Sequence, residues 1–227
     1  MTDAPSELQT ANIIVGSGEP RQLFNVRIDL LIKHSEYFKK ALNKDWQEGQ
    51  TRQVKLDDVD PDIFKIFNNF LKEGIIYSSK EGDVCFAKPG DTTQTDKELG
   101  RLVASWNLGD RLMSTSFKDG VVDALRSKTI VDGDYLQQMH PSVYSSSSPS
   151  SRIRLLVVDF AVWGWNTSTY RQAERSEEDV DFLFDVALAF KERAESKPPA
   201  KNPITGKDKC RYHEHVREGK PCYTTMF

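Results

Sequence analysis

The strongest constraint on the fold is a change of apolar periodicity near the beginning of the chain. Two short apolar, β-branched runs at residues 12–16 and 22–26 flank a Gly-Ser-Gly-Glu-Pro segment, a pattern typical of a β-hairpin. From Asp29 onwards the apolar residues recur with helical spacing, and Ser35 is placed to cap a second short helix. A hairpin that leads directly into helices predicts a small α+β domain.

A third strand and a well-delimited helix follow. Val54-Lys-Leu56 alternates as a strand does, and the next helix has Asp60 as its predicted N-cap, Pro61 at its first position and Gly74 at its end. One stripe at helical spacing is predicted to face the core, namely Ile63, Ile66, Phe67, Phe70 and Leu71. Further helical spacing at residues 99–125 extends the predicted domain over residues 12–128.

The rest of the chain divides by composition. Residues 1–11 are polar and are expected to be disordered. Residues 129–151 end in a run of serines and are interpreted as a linker, whereas 152–195 carry two apolar patterns that predict a helical extension. Residues 196–227 form a Lys- and Pro-rich tail that contains most of the chain's Cys and His residues.

Charge and apolar content exclude several classes of protein. The 31 Lys+Arg residues nearly balance the 34 Asp+Glu residues, so the chain lacks the sustained basic face that makes nucleic acid a good partner. The densest apolar stretch, 153–165, is shorter than the ~20 apolar residues that span a bilayer. Three cysteines and an amino terminus without a secretory pattern predict a soluble protein of the cytoplasm or nucleus.

The sequence motifs do not favour catalysis. Gly16-Ser-Gly18 is followed by Arg21 where a dinucleotide-binding loop needs its third glycine. The aspartates at residues 57–62 lack the spacing of a calcium loop, and helix capping explains them. Hydrolase and metalloprotease motifs are absent from the sequence. We therefore expect no catalytic residues and no enzymatic activity.

One group of residues has the composition of a metal site. Four residues of the tail are of the types that bind tetrahedral zinc: Cys210, His213, His215 and Cys222. Gly219 and Pro221 are placed to turn the chain so that the last cysteine returns to the others. The spacing is not that of a standard zinc finger, and a polar tail with scattered soft residues is the competing interpretation. Zinc is thus the single cofactor that the sequence suggests.

Residues 13–127, about half of the chain, resemble a BTB/POZ domain. The resemblance rests on the order and spacing of several stretches: Ile13-Ile-Val-Gly16, Leu23-Phe-Asn-Val26, the run from Leu30 to Phe38, Trp46-Gln-Glu48, Val54-Lys-Leu56 and the run from Asp60 to Gly74. The whole arrangement is similar to BTB proteins numerous in filamentous fungi. The resemblance implies a three-stranded sheet flanked by helices that mediates self-association and docks other proteins without catalysis.

Many members of that family recruit substrates to cullin-type ubiquitin ligases. Such members carry a hydrophobic residue, any residue and then Glu before the third strand, and Trp46-Gln47-Glu48 matches this pattern. The resemblance therefore implies that Trp46 and Glu48 contact a cullin scaffold. The alternative is that Trp46 packs on its own domain while Glu48 is merely solvated, and the sequence leaves both open.

The helical extension offers a second predicted partner surface. A docking helix buries aromatic side chains in its partner, and the aromatic residues available here are Phe182 and Phe184, together with Trp163 or Trp165. We expect Phe182 and Phe184 to be the principal anchors.

Overall fold

The structure is a computed structural model that describes residues 9–18, 21–80, 97–132, 139–172 and 180–227. It belongs to the α+β class. Its sheet contains strands β1 (Thr10–Val15), β2 (Gln22–Arg27) and β3 (Gln53–Leu56) in the order β2-β1-β3. Strand β1 pairs antiparallel with β2 and parallel with β3, and this register sets Ile13 opposite both Phe24 and Val54.

Helices form the rest of the described chain. Those before the first long gap are α1 (Ile28–His34), α2 (Glu36–Ala41), α3 (Gln47–Thr51) and α4 (Pro61–Glu73). The later ones are α5 (Lys97–Arg111), α6 (Thr115–Asp132), α7 (Met139–Ser146), α8 (Arg152–Gly164), α9 (Thr167–Gln172), α10 (Val180–Glu195) and α11 (Glu214–Glu218), and a 3-10 turn follows at Tyr223–Thr225.

The predicted helix boundaries around α2 and α4 are confirmed. The Ser35 side chain accepts a hydrogen bond from the Phe38 amide at 3.1 Å and so caps α2. The Asp60 side chain accepts from the Asp62 amide at 2.7 Å at the start of α4. Gly74 ends α4 with a φ of 69°, a left-handed conformation that glycine adopts without a steric penalty.

A chain of aromatic contacts joins the sheet to the helices. The ring centroids of Phe24 on β2 and Phe64 on α4 lie 4.9 Å apart, and Phe67 on α4 meets Phe117 on α6 at 5.0 Å. Ile13, Phe67 and Phe117 are fully buried. One face of the sheet therefore shares a single core with α4 and α6, and α6 is positioned as the central helix of the structure.

Much of the segment that the sequence analysis interprets as a linker, 129–151, is helical in the structure. Helix α6 continues to Asp132, and α7 lies within the segment with Met139 and Val143 buried. The buried Arg154 side chain of α8 donates hydrogen bonds to the carbonyl oxygens of Tyr144 and Ser147. The Arg154 guanidinium thus provides hydrogen bonds to carbonyl groups at the end of α7 that have no partner within the helix. These bonds favour packing of a serine-rich sequence that has little apolar surface of its own.

Two other regions bear on the sequence predictions. Strand β1 begins at Thr10, within the segment 1–11 expected to be disordered, and residues 1–8 lie outside the described part of the chain. Helix α8 is buried on nearly all sides, as its apolar pattern predicts. Among the described residues, no helix is both long and apolar enough to cross a membrane.

Candidate metal centre and interaction surface

The structure brings the four predicted zinc ligands together. One potential ligand atom from each of Cys210, His213, His215 and Cys222 lies within 4.8 Å of the other three. The two sulfur atoms are 4.0 Å apart. Both histidines are buried and both cysteines are half-buried, so the cluster lies beneath the surface with the sulfurs toward its outer side.

Local turns of the tail produce this convergence. The Asp208 side chain accepts a hydrogen bond from the Cys210 amide, and the Cys210 carbonyl accepts one from the His213 amide, both at 3.0 Å. Helix α11 then ends at Gly219, whose φ is 65°. This left-handed residue reverses the chain and returns Cys222 to the first cysteine.

Two carboxylates of α6 lie behind the histidines. Asp119 Oδ2 is 2.7 Å from His215 Nδ1, and Asp123 Oδ1 is 3.1 Å from His213 Nε2. The two aspartates are four residues apart and therefore project from the same side of the helix. Asp123 also accepts a hydrogen bond from the Tyr223 hydroxyl at 2.8 Å, so α6 contacts the tail on both sides of α11.

The sequence reasoning missed these two aspartates. Their spacing alone is no signal, because acidic residues one turn apart on a helix most often lie on its solvated face. Nothing in the sequence indicated that the tail, almost a hundred residues further on, would supply the partners.

Burial and the neighbouring imidazoles determine the direction in which the pKa of each of the two aspartates is shifted. Burial raises the pKa of Asp119, although His213, His215 and the Glu214 amide act in the opposite direction. Burial would also raise the pKa of Asp123, but His213 and the Tyr223 hydroxyl outweigh it and lower the value. The pKa of His213 is raised, because these carboxylates overcome the effect of its own burial.

The two thiols are not equivalent. Burial and the adjacent Cys222 sulfur raise the pKa of Cys210 to about 11. Burial acts on Cys222 in the same direction, but a hydrogen bond with Thr224 and the nearby Cys210 and His213 side chains lower its pKa overall. Of the pair, Cys222 therefore loses its proton first, and its thiolate is the form that binds a metal ion.

Trp46 and Glu48 are both exposed, two residues apart at the start of α3. The Trp46 side chain is 62% exposed, and Glu48 is exposed in the first turn of α3, a helix with no buried residue. The Trp46 amide donates to the Asn43 carbonyl and the Trp46 carbonyl accepts from the Gln50 amide, both at 3.0 Å. Backbone hydrogen bonds thus hold Trp46 in place while its ring faces solvent. In the structure the ring does not pack on its own domain, which was the alternative left open by the sequence.

The turn that carries Trp46 depends on a close approach at Gly49. A Cβ atom added to Gly49 would lie 2.0 Å from the Asn43 carbonyl oxygen. No side chain fits at that separation, so the backbone must move if one is introduced. A cleft at the foot of this turn is lined by Gln9, Ile28, Leu42, Lys44, Gly49, Gln50 and Arg52.

The two predicted anchors of the helical extension differ in exposure. Phe184 is 68% exposed and free to contact a partner. Phe182 is 1% exposed, because its ring stacks on His140 at 4.3 Å and contacts Trp165 at 5.7 Å. The role predicted for Phe182 is therefore corrected to a core residue that joins α10 to α7, and Phe184 stays as a candidate contact. The Trp163 ring is covered by the Arg193 guanidinium.

Comparison of the chain with protein-family models and with curated proteins found no match.

Proposed function

We propose that this protein is a non-catalytic protein-interaction module of the BTB/POZ type, acting through its surface. The observation that supports this best is the chain order of its first half. An antiparallel hairpin is followed by short helices, a third strand parallel to the first, and then helices α4, α5 and α6. A three-stranded sheet flanked by helices is what the sequence resemblance implies.

The sheet supports a role in binding because the described residues cover only one of its faces. Phe24 and Val26 of β2 point into the core, whereas the alternate residues Leu23, Asn25 and Arg27 are exposed. Leu23 alone is 60% exposed. An antiparallel hairpin with one solvated face is a stable arrangement, and it offers an exposed surface for a second copy or another protein.

A second candidate function is recruitment of a cullin-type ubiquitin ligase, and the exposure of Trp46 favours it. A large exposed aromatic side chain on a backbone fixed by hydrogen bonds loses little conformational freedom when it enters a partner's pocket. Glu48 lies two residues away and supplies a charge that orients a basic partner. Trp46 and Glu48 are thus the principal contacts in this proposal. We expect the protein to work in the cytoplasm or nucleus.

The test is capture of the amino-terminal domain of a cullin scaffold by the purified full chain. A double change, Trp46→Ala with Glu48→Lys, should weaken capture at least tenfold, because hot-spot residues of this kind each contribute about 2 kcal/mol or more. The matched control, Ile130→Ala with Glu192→Lys, removes one exposed apolar side chain and reverses one exposed acid, both outside the Trp46 surface and the sheet face. Capture unaffected by the first pair, or reduced equally by both pairs, would reject the Trp46 surface as the contact.

A further inference from the structure

We propose that Cys210, His213, His215 and Cys222 bind one zinc ion, and that this ion fastens the C-terminal tail, residues 196–227, to helix α6. The site is structural, because four protein ligands leave a tetrahedral ion no position for a substrate. This proposal stands apart from the interaction role and does not depend on it.

The distances fit a shared ion better than a disulfide. Two thiolates on a tetrahedral zinc ion lie about 3.8 Å apart, given zinc–sulfur bonds of about 2.3 Å. The observed separation of the two sulfurs is 4.0 Å, whereas a disulfide requires about 2.05 Å. All four ligand atoms lie within 4.8 Å of one another, whereas pairs that include a nitrogen are about 3.3 to 3.6 Å apart around a tetrahedral zinc ion, so small side-chain rotations are needed to bring the ligands onto the ion.

The ring nitrogens of the buried His213 are independent evidence that the cluster binds a ligand. Its side chain is 1% exposed, and neither ring nitrogen has a hydrogen bond of acceptable geometry among the described residues. Buried polar atoms nearly always have partners. The Asp123 carboxylate is close to Nε2, so Nδ1 is the nitrogen that the metal ion would occupy.

The residues behind the ligands have the arrangement that zinc-bound histidines need. His215 Nδ1 lies 2.7 Å from the Asp119 carboxylate, which leaves Nε2 as its ligand atom. A carboxylate that accepts the other imidazole N–H fixes the tautomer and the ring orientation of a metal-binding histidine. Asp119 is itself fully buried and also accepts the Glu214 amide at 2.6 Å, so the histidine is positioned before the metal arrives.

The charges favour a doubly positive ion. Binding converts both cysteines to thiolates and releases their two protons to solvent. Two thiolates and two neutral imidazoles then balance the charge of Zn²⁺, so the ion and its four ligands together are neutral in front of the Asp119 and Asp123 carboxylates. Two sulfur and two nitrogen ligands in tetrahedral arrangement are also the set that selects zinc over the harder cations.

The ion would hold the tail at a junction of several elements. Glu214, between the two histidine ligands, is fully buried and accepts the Arg152 amide at the start of α8 at 2.8 Å. Tyr223, next to Cys222, donates to Asp123 on α6. Beyond it, Lys33 donates to the Met226 carbonyl and the Phe227 ring stacks on His34. Metal at the cluster thus orders contacts that reach α1.

The first test is the metal content of the full chain, purified under reducing conditions without chelator. We expect one zinc ion per chain. Cys210→Ser and Cys222→Ser should each abolish it, while Cys85→Ser, a change at the remaining cysteine of the sequence, should leave it unchanged. Since a serine variant can fail by unfolding, the unaltered chain is also stripped by a chelator and refilled with Co²⁺. A thiolate-to-cobalt absorption band and recovery of the melting temperature on adding Zn²⁺ are expected.

Two results would overturn the proposal. One is a folded, reduced chain that contains no zinc and shows no thiolate-to-cobalt band with excess Co²⁺. The other is a mass showing that Cys210 and Cys222 are joined as a disulfide in protein prepared from reducing conditions.

Discussion

The Phe227 ring lies against the His34 ring, with centroids 5.0 Å apart and planes inclined by only 14°. His34 belongs to α1 and is 4% exposed, and its Nδ1 is 3.0 Å from the Ser116 hydroxyl of α6. The last residue of the chain therefore covers a buried imidazole near its beginning. Burial lowers the pKa of His34 from 6.5 to about 4, with a smaller contribution from Lys33.

Stability should fall as the pH drops below neutrality, because of His34. The unfolded chain binds a proton at this residue near pH 6.5, whereas the folded chain does not until about pH 4. The contribution of neutral His34 to the free energy of unfolding is therefore fully present above pH 6.5 and is lost as the pH falls toward 4. At about 1.4 kcal/mol per pKa unit, this loss amounts to at most about 3 kcal/mol. Urea unfolding across this range measures it. In His34→Asn, which keeps a polar atom near Ser116 but does not titrate, the pH dependence should be shallower by that amount.

Gly74→Ala should destabilise the fold and loosen the end of the tail. Gly74 has a φ of 69°, and an added Cβ would lie 2.6 Å from the Phe227 ring. Strain at positive φ alone costs about 1 kcal/mol, and displacement of Phe227 adds to it. Thermal unfolding should show the loss, whereas Gly18→Ala, with no atom within 4 Å of the new Cβ, should be nearly neutral. Equal melting temperatures for the two variants would contradict the contact.

Arg154→Met should destabilise the helical extension by about 2 to 4 kcal/mol. The guanidinium donates to the carbonyls of Tyr144 and Ser147 and to the Ser147 hydroxyl, at 2.6 to 3.0 Å. Methionine fills much of the space but leaves these buried acceptors unpaired. Denaturant unfolding measures the change. Arg152→Met, at a half-buried position of the same helix with a single long 3.5 Å side-chain bond, is the matched control and should cost far less.

Asp119→Asn should weaken zinc binding about 10- to 100-fold without removing a ligand. The amide cannot accept from His215 and the Glu214 amide as the carboxylate does, and loss of an outer partner of a metal-binding histidine has an effect of this size. Competition with a colorimetric chelator gives the affinity. An unchanged affinity in a folded Asp119→Asn chain would show that this carboxylate does not position His215.

Gly49→Ala should weaken partner binding although it changes neither Trp46 nor Glu48. The new methyl group collides with the Asn43 carbonyl and displaces the turn that holds the Trp46 backbone. Binding of the Gly49→Ala chain to the cullin domain should be weakened about as much as that of the Trp46→Ala chain. Gly100→Ala, at an exposed position of helix α5 with open space around it, should bind as the unaltered chain does.

Local signals in the sequence predicted the first half of the fold well. Ser35, Asp60 and Gly74 each have a side chain or backbone property that fixes a helix end within a few residues, so their roles are confirmed. The strand pairing was also accessible, because alternation sets Ile13 and Phe24 on one face. The ligand types at Cys210 to Cys222 likewise pointed to a site before their distances were known.

Long-range packing was not accessible in the same way. Asp119 acquires its role from the tail, and Arg154 makes an ordered helix of a serine-rich segment that composition marks as a linker. Phe182 and Phe184 are the same residue type in the same helix, but residues two positions apart in a helix point about 200° apart around its axis. Only the contact of α10 with α7 decides which of the two is buried.

The most direct test of a role in protein interaction is the mass of the tagged chain in extracts of its native cells, measured by size-exclusion chromatography with light scattering. An interaction module predicts a complex larger than the 25.9 kDa monomer. Recruitment through Trp46 and Glu48 predicts in addition a shift toward the monomer for Trp46→Ala with Glu48→Lys, but none for Ile130→Ala with Glu192→Lys. A chain that is monomeric in those extracts would contradict the interaction role, and a complex that the first pair leaves intact would contradict Trp46 and Glu48 as its contacts.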